Sequence, residues 1–296
     1  MLNALFLIAL LAIGYLIKRV GLLKNEDAAI ITKLVLYITL PCTVIMALTF
    51  VDINPDWAFL PISSFLVGIA CYGVSYLTYK SSKMDREKGG AFIIGSSSMN
   101  TALFMYPFFS AYLGSEGLAR IVFFDVGQIF LMYGLAYYVA ITYGGKGGNG
   151  LLRRLLSFPP FYALLIGLWL NLTETSLWMF EGFISMLDSA TVPLIMIAMG
   201  MSLELPEESK SFGWVAISLA IRFLLSLGVA CALIFTFGLE DLEALTVLIG
   251  SAAPPAVLTM VYSAEEGLDS SFTALLVSTG TLVGVGLTVA LFAIVL

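Results

Sequence analysis

The sequence contains no histidine, few charged residues and only three cysteines. Without histidine the chain cannot form a His-based catalytic triad, an HExxH zinc site or an imidazole proton shuttle. Cys42, Cys71 and Cys231 lie in apolar runs without CxxC spacing, which predicts small buried side chains and neither disulfides nor a metal site. The charged share of 11% and net charge of −6 exclude an ordinary soluble enzyme and a basic nucleic-acid-binding face. No cofactor is predicted.

Apolar residues make up 60% of the chain, and the mean hydropathy is +1.00. A helix needs about 20 mostly apolar residues to cross a bilayer. The chain therefore predicts an all-α membrane protein with ten transmembrane helices joined by short loops. These predicted spans, numbered 1 to 10, are Asn3–Ile17, Ala28–Phe50, Trp57–Tyr79, Gly89–Tyr112, Gly117–Tyr143, Phe158–Leu172, Gly182–Leu203, Ser211–Phe237, Ala244–Ser263 and Ser270–Leu296.

Basic residues are concentrated in alternate loops, and the intervening loops carry mainly acids. The positive-inside rule places the basic loops in the cytoplasm. Both termini of a multi-pass protein in the plasma (inner) membrane of a prokaryote are then predicted to lie outside. The first span is predicted to stay uncleaved because its positive charges follow the apolar run. The basic residues are Lys18, Arg19 and Lys24 after span 1, Lys80, Lys83, Arg86 and Lys88 after span 3, Lys146, Arg153 and Arg154 after span 5, and Lys210 after span 7.

Two landmarks recur in the same order in the two halves of the chain. Span 2 contains Pro41 and span 7 contains Pro193, while Gly-Ser pairs open the polar stretches of spans 4 and 9. Pro41 precedes Asn100 by 59 residues, and Pro193 precedes Pro254 by 61. Each half holds five spans, an odd number, so the second half would enter the membrane inverted. Chance recurrence of common residues is the alternative. The predicted domains are the repeats 1–143 and 158–296, joined by a short cytoplasmic loop at 144–157.

Spans 4 and 9 carry polar and proline residues within apolar stretches, which predicts broken helices. Span 4 contains Asn100, Thr101 and Pro107, and span 9 contains Pro254 and Pro255. Interrupted helices at matching places mark a binding site near the membrane midplane, and the freed helix N-termini suit a carboxylate. Asn100, Thr101, Pro254 and Pro255 are therefore predicted to bind substrate. Packing of polar residues between helices, with simple proline kinks, is the alternative. Pro41, Pro107 and Pro193 are also predicted to break their helices.

Three charged residues lie well inside apolar runs: Asp125 in span 5, Asp188 in span 7 and Arg222 in span 8. Arg222 lies about 11 residues into its span, roughly 16 Å along the helix axis. Each charge at that depth costs at least about 2.5–3.5 kcal/mol without a partner or solvent. Asp125 and Arg222 can pair or help to hold the crossing helices, and Arg222 can instead neutralise an anionic substrate. Asp188 is a candidate for proton or sodium coupling. A purely structural role is the alternative for all three.

An ordered set of motifs resembles the auxin efflux carrier family, which includes plant carriers of auxin and bacterial permeases for malate and malonate. The resemblance covers nearly the whole chain, and its most specific parts are the Asn-Thr-x-x-x-x-Pro and Ala-x-Pro-Pro segments. The motifs are GYLIKRVGLL, LVLYITLPC, MNTALFMYP at Met99–Pro107, PLIMIAMGMSLEL at Pro193–Leu205, AAPPAVLTMVY at Ala252–Tyr262 and VSTGTLVGV at Val277–Val285.

The resemblance implies two inverted five-helix repeats, with broken helices 4 and 9 that cross as in sodium/proton antiporter-like folds. It implies a dimerising scaffold of helices 1, 2, 6 and 7, and a transport domain of helices 3–5 and 8–10 that moves as an elevator. Asn100 matches the family's crossover asparagine, Pro255 its crossover proline and Ser189 a polar scaffold residue near the substrate. Plant carriers have a long loop between helices 5 and 6, which is short here, and an acid and a lysine on helix 3, where this chain has no acid and only Lys80 at the end.

The sequence thus predicts a secondary transporter of small organic anions, such as auxin-like monocarboxylates, malate or malonate, and not an enzyme. The expected partners are the anion, the lipid bilayer and a second copy of the chain in a homodimer, with no nucleic acid. An uncoupled, channel-like facilitator or a sensor with the same fold is the alternative. An intramembrane enzyme is disfavoured because the chain shows no Ser/Lys or Asp/Asp catalytic pattern.

Overall fold

The computed structural model describes residues 2–145, 158–175, 177–203 and 211–295. Regular structure in these ranges is helical, as the composition predicts. Most of the predicted loop 144–157 and the basic residues Lys146, Arg153, Arg154 and Lys210 lie outside the described residues. The helices are α1 (Leu2–Arg19), α2 (Asn25–Leu34), α3 (Leu40–Thr49), α4 (Phe59–Ser81), α5 (Arg86–Ser97), α6 (Tyr106–Phe130), α7 (Tyr137–Gly144), α8 (Pro159–Leu172), α9 (Glu181–Ser202), α10 (Phe212–Ala220), α11 (Ser226–Phe237), α12 (Asp241–Ser251), α13 (Leu258–Glu266) and α14 (Ser270–Val295).

Six helical runs in the described residues are long and apolar enough to cross a membrane. They are Glu26–Thr49, Pro55–Ser81, Thr101–Gly144, Glu181–Ser202, Phe212–Phe237 and Ser270–Val295. The run Thr101–Gly144 changes direction inside α6, where Gly114 adopts the non-helical angles φ 64° and ψ −153°. Shorter pieces such as α5, α8, α12 and α13 correspond to the remaining predicted spans, so the full count of ten stays a prediction.

Short π-helical segments join several α-helices into longer continuous runs. They are Val35–Thr39, Thr101–Met105, Leu131–Ala136 and Ile221–Leu225. Pro41 and Pro107 each follow one of these segments, and Pro193 lies inside the continuous helix α9. The predicted helix breaks at these three prolines are therefore not observed. A π turn offers each of the first two a wider backbone ring, which relieves the clash and the lost hydrogen bond that proline causes.

The cysteines only partly follow the prediction. All three are free, and Cys71 is buried. Cys42 is half-buried and Cys231 is exposed, so burial was predicted wrongly for Cys231. An apolar run does not distinguish a helix face packed on protein from one that faces lipid, because both sides are apolar in a membrane protein.

The chain divides into two compact units, and the first contains Met1–Pro55, Ala102–Val122 and Leu156–Leu203. Within this unit α1 and α9 approach closely through glycine. A Cβ atom on Gly14 would lie 2.1 Å from the Ile197 carbonyl oxygen, and one on Gly200 would lie 2.0 Å from the Leu11 carbonyl oxygen. Close backbone approach through small residues is the usual packing mode of membrane helices.

Asn171 of α8 is hydrogen-bonded to the C-terminal end of α3 and the residues that follow it, within the same unit. The side-chain amide of Asn171 donates hydrogen bonds to the carbonyl oxygens of Leu48 at 2.9 Å and Val51 at 2.7 Å. Large apolar side chains on α8 and α9 are exposed, as expected for helices that face lipid; they include Trp169, Leu172, Phe183 and Met186.

The second unit contains Asp56–Thr101, Phe123–Leu155 and Glu204–Leu296. Its core includes the fully buried Phe92, whose ring contacts Trp214 at 6.2 Å and Phe272 at 6.4 Å between centroids. Polar contacts also link its helices, and the hydroxyl oxygens of Ser96 and Ser218 lie 2.6 Å apart. This unit holds both of the helix interruptions.

Candidate substrate-binding site

Two helices of the second unit are interrupted by extended backbone. The first interruption lies between α5 and the segment Thr101–Met105, and it begins at Ser98 with φ −90° and ψ 134°. The second lies between α12 and α13 and contains Pro254 and Pro255, which have no N–H to continue a helix. Both interruptions occur where the sequence predicts them.

Backbone contacts join the two interruptions directly. The N–H of Asn100 donates a hydrogen bond to the carbonyl oxygen of Pro254 at 2.8 Å. Met99 and Pro255 form an isolated antiparallel bridge. The two breaks thus satisfy some of each other's backbone groups, which the hydrocarbon interior of a membrane requires.

Arg222 lies where both half-helices end. It belongs to the π segment Ile221–Leu225, and its side chain is 0% exposed. Its Nη1 donates to the carbonyl oxygen of Ser97 at 3.1 Å, and its Nη2 donates to that of Ser251 at 3.4 Å. Ser97 and Ser251 are the last residues of α5 and α12. Because a helix C-terminus carries about half a negative charge, the two ends together offset roughly one positive charge.

These contacts favour one of the roles that the sequence left open for Arg222, that of holding the crossing helices. Arg222 forms no ion pair within the part of the chain that the structure describes. Ser226 strengthens the arrangement, because its hydroxyl donates to the same Ser251 carbonyl at 2.8 Å. A buried guanidinium can therefore be stabilised here by backbone carbonyls in place of a carboxylate.

A second polar group lies at the start of the chain that follows the first interruption. The hydroxyl of Thr101 donates a hydrogen bond to the carboxylate of Asp125, whose side chain is buried. The N–H of Met99 donates to the side-chain oxygen of Gln128 at 3.1 Å, and the Gln128 amide donates to the Ser64 carbonyl at 3.3 Å. Asp125 and Gln128 are three residues apart and share one face of α6.

Gln128 is a site residue that the sequence analysis missed. Its signal was an amide side chain in an apolar stretch, one helical turn after the buried charge Asp125. An amide offers both a donor and an acceptor, so it can bridge the backbone of the interruption to α4.

Asn100 lies at the centre of this arrangement. Its side chain is 5% exposed, and its Nδ2 has no hydrogen-bond partner among the described residues. A buried amide that lacks an acceptor is unusual in a folded protein and calls for an explanation. Its two N–H bonds remain available to an acceptor that is not part of the chain.

Two glycines of α14 accommodate the proline pair. A Cβ atom on Gly280 would lie 2.5 Å from Cδ of Pro255, and one on Gly284 would lie 3.0 Å from Cβ of Pro254. The rings of both prolines are rigid and cannot move aside as a flexible side chain would. The spacing of four residues places both glycines on one face of α14, which is the face that contacts the interruption.

Comparison with known proteins shows the family to which the chain belongs. A family model described as Membrane transport protein matches residues 1–149 and 146–292. The chain belongs to this membrane transport protein family. It is the auxin efflux carrier family that the sequence motifs resemble, so that prediction is confirmed.

Two archaeal members of the membrane transport protein family are similar over most of their length. An uncharacterized transporter of Methanocaldococcus jannaschii is 32% identical over 280 residues, which cover 90% of this chain and 89% of the relative. An uncharacterized transporter of Methanothermobacter thermautotrophicus is 26% identical over 269 residues, with the same coverage of both chains. Family membership and the apolar helices together make the chain a multi-pass membrane protein.

The remaining predicted site residues of this family member lie in the first unit. Ser189 is exposed, and its hydroxyl donates to the Ser185 carbonyl at 2.8 Å within α9. Asp188 is half-buried and accepts a hydrogen bond from the Thr43 hydroxyl at 2.7 Å. The structure therefore groups Asn100, Thr101, Asp125, Arg222, Pro254 and Pro255 in one unit, and Asp188 and Ser189 in the other.

The glycine contacts predict that Gly280→Ala destabilises this transporter and Gly286→Ala does not. Gly286 lies on the same helix, and a Cβ atom added there would have no neighbouring atom within 4 Å. Overpacking against rigid groups costs about 1–3 kcal/mol, so the Gly280 variant should unfold at a lower temperature in detergent. Equal unfolding midpoints for the two variants would contradict the packing of α14 against the prolines.

The contacts of Arg222 predict that Arg222→Met is destabilising, because the Ser97 carbonyl loses the donor that Arg222 supplies. A buried carbonyl left without a donor costs about 1–3 kcal/mol. Arg222→Lys keeps the charge and should recover part of the loss. Lys33→Met is the matched control, since Lys33 is exposed near a helix end. The thermal unfolding midpoint of the purified protein measures all three. A stable Arg222→Met protein that transports normally would overturn the assigned role.

Proposed function

We propose that the chain is a secondary transporter of small organic anions, and that the substrate carboxylate binds at the crossing of the two interrupted helices. The buried and unpartnered Nδ2 of Asn100 is the observation that carries this proposal. A carboxylate has the acceptor oxygens that this amide lacks, and hydrogen bonds to a charged group are the stronger ones.

The charges around the crossing support an anion over a cation as the ligand. Arg222 offsets the negative ends of α5 and α12. The chain leaves each interruption at the N-terminus of a helical segment, where the helix dipole favours negative charge. Asp125 already occupies the start of the segment at Thr101. The start of α13, together with Asn100, is therefore the proposed place for the substrate carboxylate.

The proposed architecture has ten helices in two inverted five-helix repeats, as in sodium/proton antiporter-like folds. The proposed scaffold spans 1, 2, 6 and 7 lie within the first compact unit, and spans 3, 8, 9 and 10 lie within the second. The segment Ala102–Val122, which belongs to spans 4 and 5, is grouped with the first unit. We further propose that the transport domain moves as an elevator and that two copies of the chain dimerise through the scaffold. The proposed location is the plasma membrane, with both termini outside.

The substrates proposed are auxin-like monocarboxylates or the dicarboxylates malate and malonate. Ser189 is proposed to lie near the substrate path, in keeping with the family resemblance. No nucleotide-binding motif is present in the sequence, so gradients or the membrane potential would supply the energy.

Asn100→Ala is predicted to impair substrate binding and leave the protein folded. Its Nδ2 makes no hydrogen bond that the fold would lose. Loss of a hydrogen bond to a charged ligand should weaken binding by about 10- to 100-fold. Counterflow of labelled indole-3-acetate, malate and malonate in proteoliposomes, together with the unfolding midpoint, measures both effects.

Asn171→Ala is the matched control for this experiment. It removes the donor of two buried backbone carbonyls, so it should lower the unfolding midpoint and leave the substrate affinity of the folded fraction unchanged. An unchanged half-saturating substrate concentration for counterflow in Asn100→Ala would refute the assigned site. Flux that neither saturates nor exchanges would support the uncoupled facilitator in place of a carrier.

A further inference from the structure

The first unit contains a carboxylate, that of Asp188, inside a candidate membrane-spanning helix. This carboxylate has no basic partner among the described residues. Asp188 lies seven residues after Glu181, the first residue of α9, which is about 10 Å along the helix axis. No ion pair in the described ranges includes Asp188. An ionised carboxylate at such a depth needs a compensating positive charge or a proton.

Oxygen atoms of three residues surround the hydroxyl of Thr43. Its Oγ1 lies 2.7 Å from Oδ1 of Asp188, 2.8 Å from Oγ1 of Thr191 and 3.3 Å from the carbonyl oxygen of Thr39. A hydroxyl carries one proton and cannot donate to three acceptors at once. The cluster is therefore richer in acceptor oxygens than in hydrogen-bond donors.

Thr39 provides a second and independent observation. Its side chain is 2% exposed, and its Oγ1 has no hydrogen-bond partner among the described residues. Thr39 precedes Thr43 by one helical turn, so the two side chains lie on the same face of the helix. A buried hydroxyl without a partner beside an unpaired carboxylate indicates a ligand that both can contact.

Two prolines lie on the helices that carry the cluster. Pro193 has no N–H, so the carbonyl of Ser189, four residues earlier and adjacent to Asp188, lacks its usual helical donor. Pro41 stands two residues before Thr43 and likewise contributes no donor to the turn that precedes it. The surroundings of Asp188 thus offer carboxylate, hydroxyl and carbonyl oxygen, which are the ligands of hard cations.

We propose that Asp188, Thr39, Thr43 and Thr191 form a sodium-binding site in the first unit. One carboxylate balances one monovalent cation, whereas a divalent ion would leave a net positive charge within the membrane. A proton would neutralise Asp188 with a single bond and would leave the Thr39 hydroxyl without a partner. The site uses none of the groups at the helix crossing and would supply the coupling ion of the proposed transporter.

Direct binding of radioactive sodium to the purified full-length protein in detergent tests the site. Choline replaces sodium to hold ionic strength constant, and potassium serves as the competing ion. We expect saturable sodium binding that Asp188→Asn abolishes. Thr39→Val removes only the hydroxyl and preserves the shape of the side chain, so it should weaken binding by about tenfold.

Thr49→Val is the control, because Thr49 lies on the same helix and its hydroxyl is bonded to the Ile45 carbonyl. This variant should bind sodium as the unmodified protein does. Absence of saturable sodium binding by the unmodified protein would overturn the proposal. Binding by the Asp188→Asn or the Thr39→Val variant that equals binding by the unmodified protein would overturn it too. The protein could instead unfold at a higher temperature at low pH without sodium, and Asp188→Asn could remove that effect. This result would assign a proton to the site and overturn the sodium proposal.

The assay contains no organic anion and does not measure transport. Its failure would leave the proposed anion site at Asn100 untouched. Failure of counterflow with sodium binding intact would instead reject the proposed substrates and keep the cation site. The two proposals can therefore be separated.

Discussion

The structure of the second unit depends on how two interrupted helices satisfy their backbone groups inside a membrane. Lipid offers no hydrogen bonds, so each carbonyl and N–H freed at a break must find a partner in the protein. Asn100 and Pro254 share a backbone hydrogen bond, and Arg222 donates to the last carbonyls of both half-helices. Because one guanidinium contacts both helix ends, the two breaks are held in register with each other.

The same contacts balance the charged groups at the crossing of the two interrupted helices. The negative ends of α5 and α12 are offset by Arg222, and the Thr101 hydroxyl connects the next helical segment to Asp125. An unpartnered amide then lies between groups that are already balanced. The substrate carboxylate that we propose would accept hydrogen bonds from Nδ2 of Asn100 at this point.

Local chemistry explains which features could be predicted from the sequence. The residues at each break themselves disfavour a helix, as Pro254 does because it has no N–H. The breaks near Asn100 and Pro254 can therefore be predicted from the local sequence alone. The partners of Arg222 are carbonyls, which every residue has, and only tertiary structure shows which of them are free. The sequence also does not reveal the role of Gly280, because that role depends on a close tertiary contact with the ring of Pro255. The π segments before Pro41 and Pro107 show why proline alone overpredicts breaks.

The three charges inside the predicted spans are stabilised in different ways, and this difference has functional meaning. Arg222 is balanced by two helix ends, and Asp125 is buried against the hydroxyl that begins a half-helix. Asp188 has one hydroxyl donor and no basic partner in the described residues, although buried and half-buried charges in membranes need compensation. The balanced charges serve the crossing itself. Asp188, which has no basic partner among the described residues, is the carboxylate for which we propose a cation as the compensating charge.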